Sequence, residues 1–158
     1  PSDSSDDLAV TDKFLPTDGI KIVSGGTTSK IVSRRLGKEI RTCIDYIDPK
    51  IPPVGTMEGV DLVTEGVLTL GHVMELSNMI VSKNNTDLSW LQKKDGASLI
   101  AKYLFEYATD VNFFVGRAMN PAHQNPNLPL DLSIKLKIVE VLSKNLELMG
   151  KRVNVEYH

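Results

Sequence analysis

Ile20-Lys21-Ile22-Val23-Ser24-Gly25-Gly26-Thr27-Thr28-Ser29-Lys30-Ile31-Val32-Ser33-Arg34-Arg35-Leu36-Gly37 is the stretch from which the rest of the chain is read. An apolar alternation at Ile20 and Ile22 that runs into Val23 and stops at two glycines reads as a short buried strand. Thr27, Thr28 and Ser29 then offer N-cap hydroxyls to a helix that turns Ile31, Val32 and Leu36 inward and stops at Gly37. The unit is strand, turn, helix. Gly25 and Gly26 permit positive φ and close backbone approach, and the first N–H groups of the helix make a nest for an anion. Two readings stand: a phosphate or carboxylate cradle, and a tight turn with a well-capped helix. The spacing matches neither a Walker A loop nor a G-x-G-x-x-G fingerprint.

The same alternation of strands and helices continues outward. Ser5 to Asp7 cap a short helix that runs to about Phe14, behind a loose acidic lead-in over residues 1–7. Glu39 to Tyr46 reads as a second strand, followed by the proline-rich connection from Asp48 to Gly55. Val60 to Gly66 reads as a third strand that ends in a turn. Val67 to Lys83 carries Leu70, Val73, Leu76 or Ser77, and Ile80 at helical spacing, with Leu88 to Gln92 around Trp90 packing over it. Asp95 caps a further helix bearing Leu99, Ile100, Tyr103 and Leu104. Val111 to Gly116 is a fourth strand, Asp131 to Met149 a long final helix stopped at Gly150, and Val153 to Tyr157 a last strand. This order predicts a single α/β domain over residues 1–158, a three-layer sandwich with a mostly parallel, Rossmann-like sheet of about five strands.

Composition narrows the function. The 158 residues are 41% hydrophobic and 24% charged, the make-up of one globular domain. A formal net charge of −2 gives no general attraction to nucleic acid, and no aromatic-rich basic segment offsets it. Cys43 is the single cysteine, so an internal disulfide and a Cys-x-x-Cys metal site are excluded, and a reducing cytoplasm is the expected compartment. No apolar run is long enough to span a membrane, and the start has no signal-peptide pattern, so Asn84-Asn85-Thr86 reads as a chance sequon. The chain opens Pro1-Ser2-Asp3 without methionine, which reads as the boundary of a fragment.

Ligands of open parallel sheets bind beyond the carboxyl ends of the strands. Three strands here end in polar, glycine-containing turns: Gly25 to Ser29, Thr64-Glu65-Gly66, and Gly116-Arg117 with Asn120 and His123 downstream. If these strands are neighbours, Gly25, Gly26, Thr27, Thr28, Ser29, Glu65, Arg117, Asn120 and His123 converge on one anion-binding crevice. Each has a plainer role too: Arg117 pairing with Glu65 at the rim, His123 fixing a proline-flanked loop, Asp45 and Asp48 in a solvated turn. Arg34, Arg35 and Lys38 read as an exposed helix end favourable to the dipole. His72 lies mid-helix and His158 is last in the sequence, so no His and carboxylate spacing builds a metal site. No G-x-S-x-G elbow and no Cys-His pairing support nucleophilic catalysis.

Four segments in order carry a resemblance: Lys21 to Val32; Ile51-Pro52-Pro53 through Gly59-Val60-Asp61-Leu62-Val63-Thr64-Glu65-Gly66-Val67-Leu68-Thr69-Leu70; Asp95 to Ala101; and Phe113 to Pro126. Together they resemble the C-terminal region of the stage II sporulation protein E family of metal-dependent serine/threonine phosphatases from anaerobic bacteria, over about Asp6 to Tyr157. The resemblance implies an accessory domain behind an upstream phosphatase domain, in which alone manganese or magnesium is held by Asp-Gly motifs. Those motifs are missing here, since Asp95-Gly96 opens a helix, and the resemblance carries no catalytic or metal role onto this chain. The expectation is therefore a cytoplasmic regulatory domain whose partners are the phosphatase domain, a small anionic ligand and, in one arrangement, a second copy of itself. Whether the fragment has activity of its own is left open. The alternatives are a stand-alone enzyme that uses Glu65 or His123 as acid/base with Arg117 as anion grip, and a docking or dimerisation module.

Overall fold

A computed structural model describes residues 5–42, 54–82, 88–117 and 129–158. Helix α1 (Asp6–Phe14) precedes β1 (Ile22–Ser24), α2 (Gly26–Leu36), β2 (Arg41–Thr42), β3 (Gly55–Met57) and β4 (Val60–Thr64). Helix α3 (Val67–Ser82), a 3₁₀ turn at Ser89–Gln92, α4 (Gly96–Ala101) with a π-helical continuation at Lys102–Tyr107, β5 (Asp110–Val115), α5 (Pro129–Leu148) and β6 (Arg152–Tyr157) complete the order.

The chain is α/β, but the strands form no mostly parallel five-stranded sheet. Four of them make a mixed sheet in the order β1-β4-β3-β2, and β5 and β6 form a separate parallel pair. In the larger sheet only β1 and β4 run parallel; β4 with β3 and β3 with β2 are antiparallel. The reversal comes from a tight hairpin. Met57 pairs with Val60 across Glu58-Gly59, and Gly59 sits at φ 94°, a conformation that costs a side chain-bearing residue energy. What reads in sequence as the tail of a proline-rich connection therefore begins an antiparallel strand. Of the second-strand expectation over Glu39 to Tyr46, Arg41–Thr42 is strand, Glu39 and Ile40 precede it outside any strand, and Cys43 to Tyr46, like Asp48 and the Asn84 sequon, lie outside the described residues.

β4 is the buried centre, with Val60, Leu62, Val63 and Thr64 all under a tenth exposed. Leu62 packs with Val73 of α3, Ile100 of α4, Val111 of β5, and Leu142 and Leu146 of α5. Val63 and Val60 pack with Val23, Val32 and Met57, under Phe14 and Leu36. Helices thus cover both sides of the β1–β4 pair, which holds its register for reasons of burial. α3 and α5 are also joined by a polar clasp: the Asn145 amide donates to Ser77 Oγ at 2.8 Å and to Asn78 Oδ1 at 2.7 Å. Inside a buried helix contact such bonds satisfy groups that would otherwise be costly to desolvate.

β5 and β6 pair in register from Asp110↔Arg152 to Val115↔Tyr157, with α5 as the crossover between them. Arg152 clips their open ends through Asp110, Nε to Oδ1 at 2.7 Å. Hydrogen bonds from Thr109 and Arg152 hold the exposed Asp110 carboxyl below its ordinary pKa. Among the described residues no helix is long and apolar enough to cross a membrane.

Candidate functional site

Parallel pairing puts the carboxyl ends of β1 and β4 side by side, with Ser24 opposite Thr64. Their hydroxyls share a hydrogen bond of 2.8 Å, and the Gly25 N–H donates to the Thr64 carbonyl at 2.9 Å. The two following turns are stitched together by these bonds. Gly25 takes φ 106° and ψ 140°, a backbone that glycine alone adopts readily. Its neighbour across the seam is Gly66, whose position is so close that an added Cβ would stand 3.3 Å from Gly25 Cα. The start of α4 closes a third side, where a Cβ on Gly96 would stand 3.2 Å from Thr64 Cγ2 and 3.4 Å from Thr69 Cγ2.

Helix α2 starts one residue earlier than the hydroxyl-rich sequence predicts. Gly25 is the N-cap and supplies no side-chain cap, and the first turn holds no acidic residue. Thr27, Thr28 and Ser29 lie inside the helix instead, and Ser29 turns its hydroxyl back to donate to the Gly25 carbonyl. Helix α3 is built the opposite way. Glu65 reaches over its first turn, where Oε2 accepts from the Thr69 N–H at 3.0 Å and from the Thr69 hydroxyl at 3.1 Å. The neighbouring helix starts therefore differ in charge balance: α3 carries its own carboxylate, and α2 brings only glycine and hydroxyl residues to its positive end.

The remaining expected residues divide. Arg117 is exposed past the end of β5 in the second sheet, its N–H donating to the His158 carbonyl at 2.7 Å. Among the described residues it forms no ion pair with Glu65, whose carboxylate is taken up at α3. Asn120 and His123 lie outside the described residues. The cluster read as an exposed basic helix end is partly neutralised, since Arg35 pairs with Asp12 at 2.8 Å and Lys38 with Glu58 at 3.0 Å. His72 sits on the outer side of α3, 3.4 Å from Glu75. Among the described residues no group of three His, Cys, Asp or Glu side chains gathers to hold a metal.

Two open clefts lie away from the seam. One, of about 400 Å³, is bordered by Lys38, Arg41 and Glu58 at the β2–β3 edge, and one of about 340 Å³ lies between α1 and α2 beside Leu8, Ile31 and Arg34. Their mixed charge and shallow walls give no converging set of polar groups.

Sequence reading missed Lys135. On α5 it is half-buried and donates from Nζ to the Gly116 carbonyl at 2.6 Å, directly before Arg117. The signal was there in the spacing: Lys135 stands three and four residues ahead of Ile138 and Val139, on the stripe continued by Leu142 and Leu146. Burial lowers its pKa below the usual lysine value.

No family model, curated protein or solved structure matches the chain.

Proposed function

We propose that this chain is an accessory, regulatory domain of a cytoplasmic phosphatase of the stage II sporulation protein E type, and that the paired turns after β1 and β4 bind a small anionic ligand. The resemblance of four ordered segments supports the first part. The geometry that supports the second is the β1–β4 seam: an α2 start without a side-chain cap, set so close to Gly66 that a Cβ there would stand 3.3 Å from Gly25 Cα. Binding there is coupled to the rest of the domain because the same turns contact the starts of α3 and α4. The metal-dependent hydrolysis belongs, in this reading, to the upstream phosphatase domain and not to these residues.

A thermal-shift screen against nucleotides, sugar phosphates and small carboxylates tests the reading. A ligand at about 100 times its Kd is expected to stabilise the domain by about 2.7 kcal/mol, visible as a rise of several degrees in the midpoint. Gly26→Val is expected to abolish the rise without unfolding the protein, because nothing lies within 4 Å of a Cβ at Gly26. If no compound moves the midpoint while the variant stays folded, docking or dimerisation replaces ligand binding as the role. Turnover of a shifting compound, sensitive to Glu65→Gln, would instead favour a stand-alone enzyme.

A further inference from the structure

The last strand turns one side of its backbone away from its neighbour. Among the described residues β6 pairs with β5 alone. The Arg152 N–H donates to the Thr109 carbonyl at 3.0 Å and the His158 N–H to the Val115 carbonyl at 2.8 Å, so the even-numbered residues of β6 bond towards β5. Alternate residues of a strand bond to opposite sides, which points the N–H and C=O groups of Val153, Val155 and Tyr157 at the outer edge. The connection from β5 to α5 leaves after Arg117, and Lys135 holds the early part of α5 beside Gly116, so both of its attachments lie at the carboxyl end of the pair. Edge strands are commonly guarded by charges that repel a second strand, lysine above all. β6 carries both signs, and their order matters: Arg152 stands at its start and Glu156 near its end, with Asn154 midway. Turned end for end, the strand presents Glu156 to Arg152 and Asn154 to itself.

We propose that β6 is a self-pairing edge, at which two copies of this chain join antiparallel about a two-fold axis at Asn154 into one continuous sheet. Val153 then exchanges both main-chain hydrogen bonds with Val155 of the second copy, through groups that face away from β5. Arg152 lies opposite Glu156 of the second copy, and the symmetry makes this pair twice. Both side chains can serve it from where they stand. The ion pairs of Glu156 with Lys13, at 3.6 Å, and His158, at 3.3 Å, both fall on Oε2, and Arg152 meets Asp110 through Nε and one Nη. Centring the axis on Val153 or Val155 instead would set Arg152 against Asn154 or His158, so charge selects the register. The contact uses no residue of the β1–β4 seam, and either reading can fail without the other.

Sedimentation equilibrium of the whole chain over a range of concentrations tests this. The parent is expected to dimerise, and Arg152→Glu and Glu156→Lys each to weaken the dimer about tenfold or more, since each sets like charges face to face at two places. An equimolar mixture of the two variants is expected to dimerise again, because opposite charges then meet in every pair. A strand that was merely damaged would not recover on mixing. Disulfide trapping decides the matter should either reversal fail to fold. With Cys43→Ser in both, Asn154→Cys is expected to close an intermolecular disulfide across the axis in oxidised glutathione, whereas Asn112→Cys, exposed on β5 one strand in from the edge, is not. The inference is overturned if the parent is a monomer throughout, if its dimer survives both reversals unchanged, if mixing folded variants does not restore it, or if Asn154→Cys cross-links no more than Asn112→Cys.

Discussion

Leu146→Ala is expected to lower the stability of this domain by about 3–5 kcal/mol, a large part of the roughly 5–15 kcal/mol that holds a domain of this kind together. Leu146 is fully buried at the back of the main core, in the cluster formed by Leu62, Val73, Ile100 and Leu142. These side chains come from β4, α3, α4 and α5, so a cavity there is lined by separate elements that cannot collapse onto it without moving one another. Leu148, two residues on and 67% exposed, is the internal control: its replacement by Ala is expected to change stability by no more than about 0.5 kcal/mol. Urea unfolding checks both. A midpoint that falls for Leu146→Ala at constant slope fits the account, and a loss below about 1 kcal/mol would mean that α5 is not packed on the sheet as described.

Gly25→Val is the second large effect. The obstacle is conformation and not space, because an added Cβ at Gly25 would meet Thr28 Oγ1 only at 3.7 Å and Gly66 Cα at 4.0 Å. At φ 106° and ψ 140°, however, the backbone is one that a β-branched residue hardly visits. Forcing it there costs about 1–3 kcal/mol or moves the turn, and moving the turn breaks the Gly25 N–H bond to Thr64. Gly26→Val stands beside it as the informative contrast, since its Cβ meets nothing. The first variant is expected to melt lower, and the second to melt like the parent. Equal melting of the two would show that the Gly25 conformation carries no strain for other residues.

These two positions also mark how far sequence alone reaches. Local chemistry was legible: the strand that stops at Gly25, the close of α2 at Gly37, the Asp95 cap of α4 and the stop of α5 at Gly150 all follow from residues that dictate their own backbone. The neighbour relation of β1 and β4, which the sequence leaves as a condition, comes from the structure: they pair in parallel and bring their glycine turns together. What the sequence concealed was the direction and membership of the other pairings. Gly55–Met57 is only 3 residues long, too short for an alternation to declare itself, and its antiparallel return through Gly59 removes the parallel sheet that the strand and helix alternation implies. Pairing of β5 with β6 likewise depends on α5 packing across them, a non-local fact. Glu65 shows the same limit in the site: its carboxylate reads as a ligand group, yet Thr69 is four residues away on the next helix turn and captures it as a cap. Lys135 was overlooked for the converse reason, because a charged residue near a helix start is taken for solvated surface unless its phase with the apolar stripe is followed.

The most direct test of the central claim is a ¹H–¹⁵N NMR titration of the domain with the anion that gives the largest thermal shift. The account predicts saturable movement of the Gly25, Gly26, Gly66 and Val67 amide signals, at the seam between the turns after β1 and β4, with the same apparent Kd at each. Saturable shifts confined to other parts of the molecule, or no saturable shift at these amides, would contradict it.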